Sequence, residues 1–112
     1  MEIKTFLKEN TTVICLEGNL DGLTAEYAQE NLMNYVLPNC AIVIDMTKCP
    51  YVSSAGLRVL LMTAKQLAKI GGTGVFSSLA EEVKDVMEMT GFSNIFESYN
   101  STDDAIAAIR KE

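Results

Sequence analysis

The sequence predicts an α/β fold, a mixed and mostly parallel β-sheet with about four helices packed on it, built as a single domain over residues 1–112. Three observations carry this expectation. Two short apolar-rich runs at the start are followed by helical and strand patterns in alternation, the order of elements that lays helices on a sheet. Ala41-Ile42-Val43-Ile44 is continuously apolar and bounded by turn residues, as a strand covered on both faces requires. From Ser54 to Ile70, Leu57, Leu60, Leu61, Ala64, Leu67 and Ala68 recur with a helical period while Arg58, Lys65 and Lys69 fall on the other side.

Taken in order, Ile3–Leu7 and Thr12–Leu16 read as antiparallel strands joined by a turn at Lys8-Glu9-Asn10. Glu17-Gly18-Asn19-Leu20-Asp21-Gly22 is a loop, with two glycines and two turn-forming side chains. Thr24 is placed to cap a helix with Ala25, Ala28, Leu32, Tyr35 and Val36 inward and Glu26 in its positive first turn, stopped by Pro38 and Asn39. The apolar run at 41–44 ends on Asp45 and is expected at the centre of the sheet. Gly71-Gly72 stops the long helix, and Lys69 complements its negative end. A short strand is expected near Val75-Phe76. Ser78-Leu79-Ala80-Glu81 fits a capping box for a helix that buries Val83, Val86 and Met87 and closes at Gly91. Asn94-Ile95-Phe96 reads as the last strand, and Ser101-Thr102-Asp103-Asp104 opens a final helix with Ala105, Ile106 and Ile109 inward.

Charge and composition narrow the function. Nine basic against fifteen acidic residues give a formal net charge of −6, a field that repels phosphate backbones and anionic membranes. Nucleic acid and membrane are therefore poor partners, whereas a protein surface of basic character fits. The chain has no histidine, which removes Ser-His and Cys-His catalysis and the commonest metal ligand. No enzyme, metal or cofactor is expected. Three cysteines, Cys15, Cys40 and Cys49, without a Cys-x-x-Cys pair read as reduced, buried small hydrophobes of a cytoplasmic protein. No secretory leader and no bilayer-spanning apolar stretch is evident, which fits the same location.

The segment Cys49-Pro50-Tyr51-Val52-Ser53-Ser54-Ala55-Gly56-Leu57 leads from the central strand into the longest helix and sets two hydroxyls at its N-terminus. There the first amides lack intrahelical partners and the dipole is positive, so a phosphate on either serine would be locally stabilised. A serine here also serves as a plain helix cap, while Gly56 lets a neighbouring backbone approach closely. Asp21, followed by Gly22, is equally a turn residue. Asp45 invites comparison with a receiver-type phosphoacceptor aspartate, but neither Lys8-Glu9-Asn10 nor Glu97-Ser98-Tyr99 supplies the acids and lysine that such magnesium chemistry needs.

Tyr51-Val52-Ser53-Ser54-Ala55-Gly56-Leu57-Arg58-Val59-Leu60-Leu61 resembles the signature of STAS domains, in particular the stand-alone anti-sigma factor antagonists. Gly18-Asn19-Leu20-Asp21 with Thr24-Ala25, and Met89-Thr90-Gly91-Phe92, resemble two further family motifs in the same order. In that family the central segment usually reads Asp-Ser-Ser/Thr-Gly-Leu, and the hydroxyl after the aspartate is phosphorylated by an anti-sigma factor that is also a serine kinase. The resemblance carries the acceptor to Ser54, with Ser53 at the aspartate position and Ala55 at the second hydroxyl. It implies that the unphosphorylated protein binds the anti-sigma factor and frees a sigma factor, that phosphorylation at Ser54 prevents binding, and that a serine phosphatase restores it. Asp21, Ser53, Ser54 and Arg58 would line the docking surface. A non-phosphorylated docking or sensory module of the same fold is the alternative.

Overall fold

The computed structural model describes residues 1–91 and 97–110. Strands β1 (Glu2–Lys8) and β2 (Thr11–Glu17) form an antiparallel hairpin in register from Glu2↔Glu17 to Lys8↔Thr11. The two connecting residues, Glu9 (φ 51°) and Asn10 (φ 65°), are both left-handed, the backbone that matches the twist of a tight hairpin. Then follow α1 (Ala25–Met33), β3 (Ala41–Asp45), α2 (Ser54–Ile70), β4 (Thr73–Ser77), α3 (Glu81–Met89), β5 (Ser98–Tyr99) and α4 (Thr102–Arg110). The sheet order is β1-β2-β3-β4-β5, with β3 central as expected, and every pairing after the hairpin is parallel.

The alternation of side chains along the strands divides the interior in two. Ile14, Leu16, Ile42, Ile44 and Phe76 form the larger core with buried residues of α1, α2 and α3. On the opposite face Val13, Val43 and Val75 pack against Ala105 and Ile106 of α4. Both faces of β3 are thereby covered, which explains its unbroken apolar run. Helix α2 ends at Gly71 (φ 75°), where the Gly72 amide donates to the Leu67 carbonyl at 2.9 Å and closes the last turn.

Several local expectations are corrected. Helix α1 stops at Met33, so Tyr35 and Val36 lie beyond it, although Val36 is still buried. Thr24 makes no side-chain cap, because its hydroxyl donates instead to the Asn19 carbonyl at 2.8 Å. The capping box at Ser78 does not form, since α3 begins after Ala80. Ser78 is left-handed (φ 58°), and its amide and hydroxyl bind the Tyr99 and Asn100 carbonyls, which ties the end of β4 to β5. Val86 is exposed rather than inward. On α2 the buried stripe runs through Gly56, Val59, Leu60, Thr63, Ala64 and Leu67, while Ala68 is exposed and Leu57 and Leu61 are only partly covered. Thr63 tolerates burial because its hydroxyl donates to the Val59 carbonyl at 2.9 Å. The strand expected at Asn94-Ile95-Phe96 lies outside the described residues, and the strand seen in that region is Ser98–Tyr99.

The hairpin turn gives a test of the register. Glutamate is poorly suited to a left-handed position and asparagine well suited. Its ion pair with Arg110 is exposed and contributes little. Glu9→Asn should therefore raise stability by roughly 0.5–1 kcal/mol in urea unfolding, in line with relieving one left-handed residue.

Candidate functional site

The loop after β2 and the loop after β3 are paired backbone to backbone. The Gly18 amide donates to the Lys48 carbonyl at 2.9 Å, the Leu20 amide to Tyr51 at 3.0 Å, and the Ser53 amide returns to the Leu20 carbonyl at 2.9 Å. Leu20 and Val52 form an isolated parallel bridge at the centre of this arrangement. Leu20 is itself fully buried, so an apolar anchor fixes the loop that carries Asp21. The result sets Asp21 beside the start of α2.

Gly56 is the condition for this approach. A Cβ at that position would lie 2.4 Å from the Leu20 carbonyl oxygen and 2.9 Å from both Leu20 Cγ and Val52 Cγ1. Any other residue at position 56 would push the two loops apart.

The two serines divide their work. Ser53 is the N-cap of α2, extended at φ −83° and ψ 178°, and its Oγ accepts from the Gly56 amide at 3.3 Å. That satisfies one of the orphan amides of the helix start. Ser54 is the first residue of the helix and is exposed. Its hydroxyl has no hydrogen-bond partner among the described residues. Arg58, also exposed, stands four residues on, the spacing that brings two side chains onto one side of a helix.

Asp21 organises its own loop. Its Oδ1 accepts from the Leu23 amide at 3.0 Å and its carbonyl from the Ala25 amide at 2.8 Å, while its amide donates to Thr24 Oγ1 at 3.0 Å. Oδ2 is left without a partner among the described residues. Next to it, Leu23 is 96% exposed. On the other loop Tyr51 is about half exposed and borders, with Pro50, Val52, Val83 and Val86, a shallow cavity of about 110 Å³. The site thus combines an exposed hydroxyl, a carboxylate, a guanidinium and two exposed large apolar side chains. Leu20, Leu23 and Tyr51 are the members that sequence reasoning missed; an apolar residue flanked by turn-formers, as Leu23 is by Gly22 and Thr24, is the signal that was available.

Asp45 belongs to a different place. Its Oδ1 accepts from the Thr47 amide at 2.9 Å and from the Thr47 hydroxyl, and its Oδ2 receives the Cys15 thiol at 3.7 Å. Cys15, Glu17, Asp45, Thr47 and Lys48 line a shallow cavity of about 240 Å³. Among the described residues no group of three or more His, Cys, Asp or Glu side chains is placed to hold a metal ion. Partial burial, followed by the neighbouring Asp45 charge, pushes the Cys15 thiol up to about 11. All three cysteines are free thiols.

The molecule is a single α/β domain in which two paired loops converge on a serine-capped helix. The STAS domain family profile matches residues 2–105, and the chain belongs to that family. Several relatives carry the name anti-sigma factor antagonist. BtrV of Bordetella bronchiseptica is 37% identical over 99 residues, covering 88% of this chain and 85% of its own. The crystal structure of an anti-sigma factor antagonist from Mycobacterium paratuberculosis superposes with a TM-score of 0.83 at 26% identity, over 97% of this chain and 95% of that one. The phosphorylated form of the Bacillus cell fate determinant SpoIIAA shares the fold, with a TM-score of 0.73 at 16% identity over 96% and 99% of the two chains. No helix among the described residues is long and apolar enough to cross a membrane.

Two outcomes check the geometry. Gly56→Ala should cost about 1–3 kcal/mol in urea unfolding, the range for forcing atoms into a filled space. Ser53→Ala should cost about 1 kcal/mol while Ser53→Asp, an equally good cap, costs little and Ser54→Ala stays within about 0.5 kcal/mol. A separate check concerns Cys15, whose alkylation rate should keep rising with pH towards about 11, because only the thiolate reacts and burial beside Asp45 disfavours it.

Proposed function

We propose that the protein is an anti-sigma factor antagonist working by phosphorylation-controlled partner switching in the cytoplasm. The unphosphorylated form binds an anti-sigma factor that is also a serine kinase and so releases a sigma factor. Phosphorylation at Ser54 prevents binding, and a serine phosphatase reverses it. The observation that carries this reading is the division between the two hydroxyls: Ser53 is engaged as the cap, and Ser54 is exposed at the first helical position.

Charge is a sufficient cause for the switch. A phosphate adds about −1.5 to −2 at pH 7 on a chain whose formal net charge is already −6. At the first turn of α2 it meets the positive end of the helix, and Arg58 is within one turn, so the fold accommodates it without rearrangement. The penalty falls on the partner instead, through repulsion and the cost of desolvating a dianion in a packed interface. Asp21, with Oδ2 unpaired, and the exposed side chains of Leu23 and Tyr51 extend the same surface to the partner. Ser53 supports docking indirectly, because Asp and Ser are equivalent caps and either one presents the following hydroxyl in the same way. The existence of a phosphorylated form of SpoIIAA, a protein of this fold, supports the reading.

A pull-down from lysate of the source cell, using wild type and Ser54→Asp with site mapping of phosphate, is the test. Wild type should recover an ATP-binding serine kinase and become phosphorylated at Ser54; Ser54→Asp should bind that protein at least about a hundredfold more weakly, the effect of a like-charge or desolvated contact of several kcal/mol. Equal recovery by both chains with no phosphate on Ser54 would leave a constitutive docking module in its place.

A further inference from the structure

Strand β1 is an edge of the sheet, and seven residues long, Glu2–Lys8. In a two-residue hairpin the residues flanking the turn, here Lys8 and Thr11, exchange both backbone hydrogen bonds. Lys8, Phe6, Lys4 and Glu2 therefore bond to β2, and Ile3, Thr5 and Leu7 turn their amides and carbonyls to the open edge. Leu7 is 71% exposed and Phe6 48%. Such an edge is a template for another strand.

The sequence of β1 selects which strand fits. Two copies related by a two-fold axis can pair antiparallel, with at least five residues of each strand opposed, in three registers. Centred on Lys4, the pairing sets Lys4 against Lys4; centred on Phe6, it sets Lys4 against Lys8 twice. Centred on Thr5, it sets Glu2 opposite Lys8, Ile3 opposite Leu7, and Lys4 opposite Phe6 in both halves. Of these three, only the last puts unlike charges together and sets Ile3 against Leu7, and directly opposed pairs are the unit that stabilises a sheet. Lys4, 3.7 Å from Glu17, faces Phe6 in this register, and Lys8, exposed and 2.7 Å from Asp103 of its own chain, is the lysine that meets Glu2.

We propose that the protein forms a symmetric dimer through antiparallel pairing of β1 with β1 of a second copy, in the register centred on Thr5, giving a continuous ten-stranded sheet. The pairing uses none of Asp21, Ser53, Ser54 or Arg58, so it is independent of the switch site.

Light scattering over a concentration series up to about millimolar tests this on the full chain. Wild type should show a mass rising to twice 12.3 kDa. Thr5→Pro should remain monomeric with unchanged circular dichroism, because the amide it removes points outward and proline is accepted on an edge strand. Glu2→Lys and Lys8→Glu should each be monomeric alone, yet an equimolar mixture should dimerise, as should the double variant Glu2→Lys/Lys8→Glu. This rescue distinguishes the register from a loss of folding. A wild type that is monomeric throughout, a Thr5→Pro dimer, or single variants whose mixture stays monomeric would each overturn the proposal.

Discussion

The contact between the first turn of α2 and the Leu20 carbonyl is the constraint on which the functional end of the molecule depends. It is a contact with no room for a side chain, since a Cβ on Gly56 would come within 2.4 Å of that oxygen. Three backbone hydrogen bonds between the loops after β2 and β3 run up to it, and Leu20 and Val52 pair at its centre. Because both loops leave adjacent parallel strands of the same sheet, the sheet sets their spacing and Gly56 lets them close. Asp21 and Ser54 are brought together by this single packing event, although 33 positions separate them in the chain (54 less 21).

A switch placed there has particular properties. The helix end supplies a positive potential and unpartnered amides, the Ser53 cap supplies rigidity, and the Ser54 hydroxyl, the proposed acceptor, is exposed. On the proposed reading, modification would change charge at a surface that is already organised, so its free-energy consequence would appear in binding rather than in folding. Asp45, at the end of β3, is bound to Thr47 and Cys15 and sits in a separate depression.

Much of the fold was legible because its signals are periodic or punctuated. The unbroken apolar run at 41–44 marked the central strand, and Gly71-Gly72 marked the end of α2. The failures share a cause: short polar side chains have several partners to choose from, and sequence does not say which is near. Thr24 turned to Asn19 instead of capping α1, and Ser78 turned to Asn100 instead of capping α3. Burial on α2 was offset from the leucine pattern because Gly56 meets a backbone and Thr63 satisfies its own hydroxyl within the helix. At the site, Gly56 as a point of close approach was readable. The choice of Ser53 over Ser54 as cap was not, because adjacent serines differ only in where the first helical turn begins. Leu23 carried a signal in its turn-forming neighbours, Gly22 and Thr24, whereas the exposure of Tyr51 is visible only in the structure.

Hydrogen–deuterium exchange of the protein, alone and bound to the kinase recovered with it, tests the joined-loop site most directly. Binding should slow exchange together in the Gly18–Thr24 loop and in the Tyr51–Arg58 segment, because the Leu20–Gly56 contact makes them one surface. Protection of one segment without the other, or protection confined to the α4 face of the sheet, would contradict it.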